Sequence, residues 1–164
     1  MTVLLWDHEM GPLRDTLGDI PPAQRLVLAM RVMEWTLESI RPIEVEVVRD
    51  YIEEGMRAGR EAVHSGGEKI VLSEETLDRY VEVDDEAYEP GTSHILSALL
   101  ACADAPEGLT GEVLHGVLSF CYEGLLELEG LPTLSIDEEL RSTKCVDAIA
   151  FQKRCIEEAQ RSAG

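Results

Sequence analysis

Between Thr92 and Gly130 the chain reads TSHILSALLACADAPEGLTGEVLHGVLSFCYEGLLELEG, and few folds accommodate that much apolar sequence broken by one short turn. Ile95, Leu96, Leu99, Leu100 and Ala103 leave the first half few polar positions, while Leu114, Val117, Leu118, Cys121, Leu125 and Leu128 form a helical stripe in the second. Asp104, Glu107 and Glu112 interrupt the run, so it falls short of the roughly 18 to 20 apolar residues needed to span a membrane. The pattern predicts a buried helical hairpin, with Thr92 or Ser93 capping its first helix and Thr110 its second. Gly116 and Gly124 weaken the second helix unless a neighbour packs closely there, which predicts a central position for it.

The remaining segments read as helices around that hairpin. Met10, Leu13, Leu17 and Ile20 recur at helical spacing behind Pro12, and Leu26, Met30, Met33, Leu37 and Ile40 form a stripe between Pro22 and Pro42. Trp35 lies off this stripe, which fits a wide buried face or an exposed anchor. IEVEVV from Ile43 alternates like a strand, but Val45, Val48, Ile52, Met56 and Val63 continue at helical spacing up to HSGG, and helix is the expectation. Ser73 caps a short helix, and Ser135 with Glu138 has capping-box spacing ahead of a last segment that breaks near Ser142. With 164 residues and no repeat or long linker, residues 1–164 are expected to form one all-α domain, a bundle of about six or seven helices around the Thr92 to Gly130 hairpin.

Charge narrows the partners. Thirty-three Asp and Glu against fourteen Lys and Arg give a formal net charge of -19, which disfavours phosphate backbones and anionic membranes and favours a basic protein partner. From Glu82 to Glu89 the sequence EVDDEAYE holds five carboxylates in eight positions without a cation. Asp78, Tyr80, Glu82, Asp84, Asp85, Glu86, Tyr88 and Glu89 are the candidate partner-binding residues: the acids supply the field, the tyrosines anchors. The competing reading is a solvated acidic loop. MTVLLWDHEMG has neither the basic lead nor the apolar length of a secretory signal, and Cys102, Cys121, Cys145 and Cys155 form no C-x-x-C pair and sit among apolar neighbours, so reduced core thiols in a cytoplasmic protein are expected.

The sharpest chemical pattern is a repeated Glu-x-x-His, Glu61 with His64 and Glu112 with His115. Carboxylate-bridged metal sites in four-helix bundles use two such pairs plus a lone Glu from each of two other helices, for which Glu34 or Glu38 and Glu157 or Glu158 are available. Both pairs point away from the apolar stripes of their own helices, which favours a solvated position over an inward-facing metal site. Asp7, His8 and Glu9 diverge around a helix and make a poor coordination set. No phosphate-binding, dinucleotide-binding or nucleophile-elbow motif is present, nor an arginine clamp or aromatic cage, and no cofactor or catalytic residue is expected. A metal-dependent helical enzyme and a ligand-binding regulator are the alternatives to a binding protein.

The hairpin followed by VDAIAFQKRCIEEAQ from Val146 to Gln160 resembles small bacterial all-helical domains of the YjaG type, and the acidic helical composition is similar to that of bacterial immunity proteins. The second resemblance implies neutralisation of a basic toxin or nuclease. Neither carries a functional residue over to this chain.

Overall fold

The computed structural model, which describes residues 4–131 and 135–163, consists there of nine α-helices and one 3-10 segment, with no strand. The helices are α1 (Leu5–Met10), α2 (Pro22–Ile40), α3 (Glu46–His64), α4 (Glu74–Asp78), α5 (Tyr80–Asp85), α6 (Thr92–Ala103), α7 (Gly111–Leu128), α8 (Ile136–Leu140) and α9 (Thr143–Ala163); the 3-10 segment is Gly11–Asp19. Five of them are long, and α1, α4, α5 and α8 have six residues or fewer. The segment opened by Ser73 divides at Arg79 into α4 and α5, and the C-terminal segment divides at Arg141 and Ser142 into α8 and α9.

The predicted hairpin is α6 and α7, and α7 is the packing centre, lying against α6, α2, the 3-10 segment and α9. Leu114, Val117, Leu118, Cys121 and Leu125 of its stripe are all buried. Each such side chain contributes roughly 1.5–3 kcal/mol of transfer free energy before conformational entropy is subtracted. One hydrophobic cluster joins residues of α1, α2, α3, α5, α6, α7, α9 and the 3-10 segment. No described helix is long and apolar enough to cross a membrane.

Two details differ from the expected caps. The N-cap of α6 is Gly91, at φ 86°, because Thr92 turns its hydroxyl back to donate to the Glu89 carbonyl at 2.7 Å and Ser93 donates to the Asp84 carboxylate at 2.8 Å. A Cβ at Gly91 would lie 2.8 Å from Ile40 Cδ1 and 3.0 Å from the Gly124 carbonyl oxygen, so space and backbone conformation both require glycine there. The capping box at Ser135 is not formed, since Ser135 makes no side-chain cap bond. Close packing on α7 occurs at Gly124, whereas Gly116 faces open space.

The chain ends are tied by buried polar groups that periodicity does not reveal. Trp6 is buried, and its indole Nε1 donates to Gln152 Oε1 at 2.7 Å; Gln152 Nε2 donates in turn to the Leu118 carbonyl at 3.0 Å. Buried Glu139 accepts from the Tyr122 hydroxyl at 2.6 Å and from the Leu5 amide at 3.2 Å. Every partner matters here, because a buried donor or acceptor left unmatched costs about 1–3 kcal/mol.

Candidate functional site

The acidic strip rides on α4, α5 and the turn that follows, and two of its carboxylates fasten it to the bundle. Glu89 accepts from the backbone amides of Glu44 at 3.1 Å and Val45 at 2.8 Å, placing negative charge at the positive N-terminal end of α3. Asp84 accepts from Ser93 in the first turn of α6. Beneath them Tyr80 is half-buried, edge-on to Tyr51 with ring centroids 6.4 Å apart, and Tyr51 donates its hydroxyl to the Thr76 carbonyl at 2.9 Å. Burial pushes the hydroxyls of both tyrosines above the usual range, so they act as neutral packing groups.

The other candidates face outward. Asp78, Glu82, Asp85 and Glu86 are exposed, and none has an ion-pair partner among the described residues. Tyr88 is 76% exposed and Val81 is 68% exposed, which puts two large apolar groups among these acids without a covering element. The eight predicted residues therefore divide into an inner set of Tyr80, Asp84 and Glu89 that fixes the strip, and an outer set of Asp78, Glu82, Asp85, Glu86 and Tyr88 that is presented to solvent.

The Glu-x-x-His pairs do not converge. Glu61 and His64 are exposed at the end of α3; Glu112 pairs with Arg14, and the His115 ring lies 4.8 Å from the Trp6 ring. His115 was expected at a solvated position and is half-buried instead, because α1 folds Trp6 over the side of α7 that its own stripe leaves free. That burial, with Arg14 nearby, lowers its proton affinity. The lone glutamates are not gathered as ligands either: Glu34 binds Arg41 and Glu158 binds Arg31, while Glu38 and Glu157 are exposed. Asp7 accepts from the Leu4 amide and Glu9 pairs with Lys153. Among the described residues no group of three or more His, Cys, Asp or Glu side chains is placed to hold a metal ion.

All four cysteines are free and buried. Burial pushes the Cys121 thiol up to about 12 and raises Cys102, Cys145 and Cys155 as well, so the nucleophilic thiolate is suppressed at neutral pH.

A second site, absent from the sequence reading, is a cleft of about 750 Å³ between α2, α3 and α9. Met30 and Met56 form its floor, and Trp35 stacks on Phe151 with centroids 5.1 Å apart and planes 13° from parallel. Trp35 is half-buried against the core, as the wide-face reading expects, and it also lines this cleft. Arg41 bridges Glu34 and Glu53 at 2.9 Å each, and Arg60 lies 3.8 Å from the other oxygen of Glu34. The signal for this cleft was present in separate pieces: Arg31, Glu34, Trp35 and Glu38 cluster on one side of α2, and Glu53 and Arg60 stand seven apart on α3.

No protein-family model, curated protein or solved structure matches this chain.

Proposed function

We propose that this protein is a binding module that docks a basic protein through the outer acidic strip, most concretely an immunity protein or stoichiometric inhibitor of a basic toxin or nuclease. No catalytic step is assigned to it. The observation that carries the reading is the division of the strip: Glu89 and Asp84 are spent on fastening it to α3 and α6, while Glu82, Asp85 and Glu86 are exposed in the same short segment as exposed Val81 and Tyr88. Held in this way, the acids attract a cationic surface at long range and the two apolar groups supply contact once water is expelled.

A photocrosslinking amino acid at position 88, introduced into the protein in its native host, tests the proposal. The expected product is a discrete adduct with a basic protein that disappears when Glu82, Asp85 and Glu86 are changed to Lys. Adducts that persist unchanged through that reversal contradict it.

A further inference from the structure

The cleft between α2, α3 and α9 lies within the range of about 300–1,000 Å³ usual for small-molecule sites. Its lining holds the two signs of charge in equal number, Arg31, Arg41 and Arg60 against Glu34, Glu38 and Glu53. Most of that charge is engaged within the protein. Arg41 donates to Glu34 and to Glu53 at 2.9 Å each, and Arg31 pairs with Glu158. Two groups are left over, and they have opposite signs. Arg60 makes no hydrogen bond among the described residues, since its nearest carboxylate oxygen, Glu34 Oε2, stands 3.8 Å away. Glu38 has no ion-pair partner among the described residues. Both side chains are exposed, so a ligand reaches them without displacing a protein group.

Arg60 and Glu38 serve the same opening. Glu38 follows Glu34 by four residues, about 6 Å along the same side of α2, and Arg60 stands against Glu34. A molecule whose ammonium and carboxylate sit on adjoining carbons spans that interval once a hydrogen bond of about 3 Å is added at each end. A simple cation would answer Glu38 and leave Arg60 unmatched, and a simple anion would do the reverse.

The apolar part of the cleft specifies the rest of the ligand. Trp35 and Phe151 stand beside two methionines, whose flexible thioethers adapt to a hydrocarbon body. The rings are already supplied with cations: Lys144 Nζ lies 6.0 Å from the Trp35 centroid, and the guanidinium carbons of Arg31 and Arg154 lie 5.9 Å and 5.3 Å from that of Phe151. A ligand ammonium therefore has its place at Glu38 and not on the rings. We infer that the cleft binds a free α-amino acid with a large apolar side chain, its carboxylate accepting from Arg60, its ammonium donating to Glu38 and its side chain resting on Trp35, Met30 and Met56. This site is separate from the acidic strip, and its occupancy does not depend on a protein partner.

The test is a titration of the full chain with L-phenylalanine and with L-leucine, followed by nitrogen-edited NMR at the Trp35 indole, with the buried Trp6 indole as internal control. N-acetyl-L-phenylalanine and L-phenylalaninamide keep the side chain and remove one charge each. Saturable shifts of Trp35 with the free amino acids are expected, and each capped form should bind about tenfold more weakly, the scale of one charge-assisted hydrogen bond. Arg60→Gln should weaken L-phenylalanine by a similar factor and leave the amide unaffected, while Glu38→Gln should weaken L-phenylalanine and leave the N-acetyl form unaffected. Both positions are exposed, so unchanged melting temperatures are expected of the variants. Absence of saturation with both free amino acids at millimolar concentration, equal affinity for either capped form, or unchanged affinity for L-phenylalanine in either variant overturns the inference.

Discussion

The acidic strip and the α2–α3–α9 cleft are both rich in carboxylates, yet they deploy them in opposite ways. In the cleft, Glu34, Glu53 and Glu158 each hold an arginine, and the charges are interleaved over an aromatic and methionine floor. In the strip the outer acids have no ion-pair partner among the described residues, whereas Glu89 and Asp84 are occupied, by backbone amides and a serine hydroxyl. The difference teaches that net charge alone is a poor guide to role. Paired carboxylates organise structure, whereas unpaired ones on an anchored support generate a field.

Substitutions should separate the two regions by their effect on stability. The largest loss is expected from Trp35→Ala, which removes the stack on Phe151 and part of the cleft wall; the half-buried position sets the cost at about 2 kcal/mol, measured by chemical denaturation. A loss below that of ordinary surface substitutions would mean that the cleft wall is not part of the packed core. Within the strip, Glu89→Ala should cost about 1 kcal/mol because two backbone amides ahead of α3 lose their acceptor, while Glu86→Ala should leave the midpoint almost unchanged. Equal effects at Glu89 and Glu86 would erase the division between inner and outer residues.

The smallest contrast is in pH. The hydrogen bond and charge of Arg31 hold the Glu158 carboxyl below its ordinary 4.5, so the folded state binds fewer protons there than the unfolded chain. Its contribution is present above pH 4.5 and is lost as pH falls through the lower folded value. Arg31→Gln should flatten that part of the acid unfolding curve, whereas neutralising Glu82 should not.

How much of this was legible depended on whether the relevant residues are neighbours in sequence. The hairpin was readable because its first helix has few polar positions and its second carries a stripe at helical spacing, and the strip was readable because Glu82 to Glu89 is contiguous. The cleft was not, since it joins side chains of α2 and α3 to Phe151 of α9, a juxtaposition that only the packing creates. Trp35, set off the α2 stripe, and the charged residues beside it on α2 and on α3 were separate local signs that only the packing joins. His115 shows a related limit: helical phase places a side chain relative to its own stripe and says nothing about α1 delivering Trp6 from elsewhere to cover it. Glu139 sits in a five-residue helix, too short to display a period, so its burial beside Tyr122 had no signature.

The central claim, that the outer strip is an electrostatic docking face, is tested most directly by affinity capture from native-host lysate with the wild-type chain and with Glu82→Lys/Asp85→Lys/Glu86→Lys, each eluted in a salt gradient. The account predicts that wild type retains a basic protein released by rising salt, and that the reversed chain, with an unchanged melting temperature, fails to retain it. Retention of the same protein by both chains at the same salt concentration would contradict the claim.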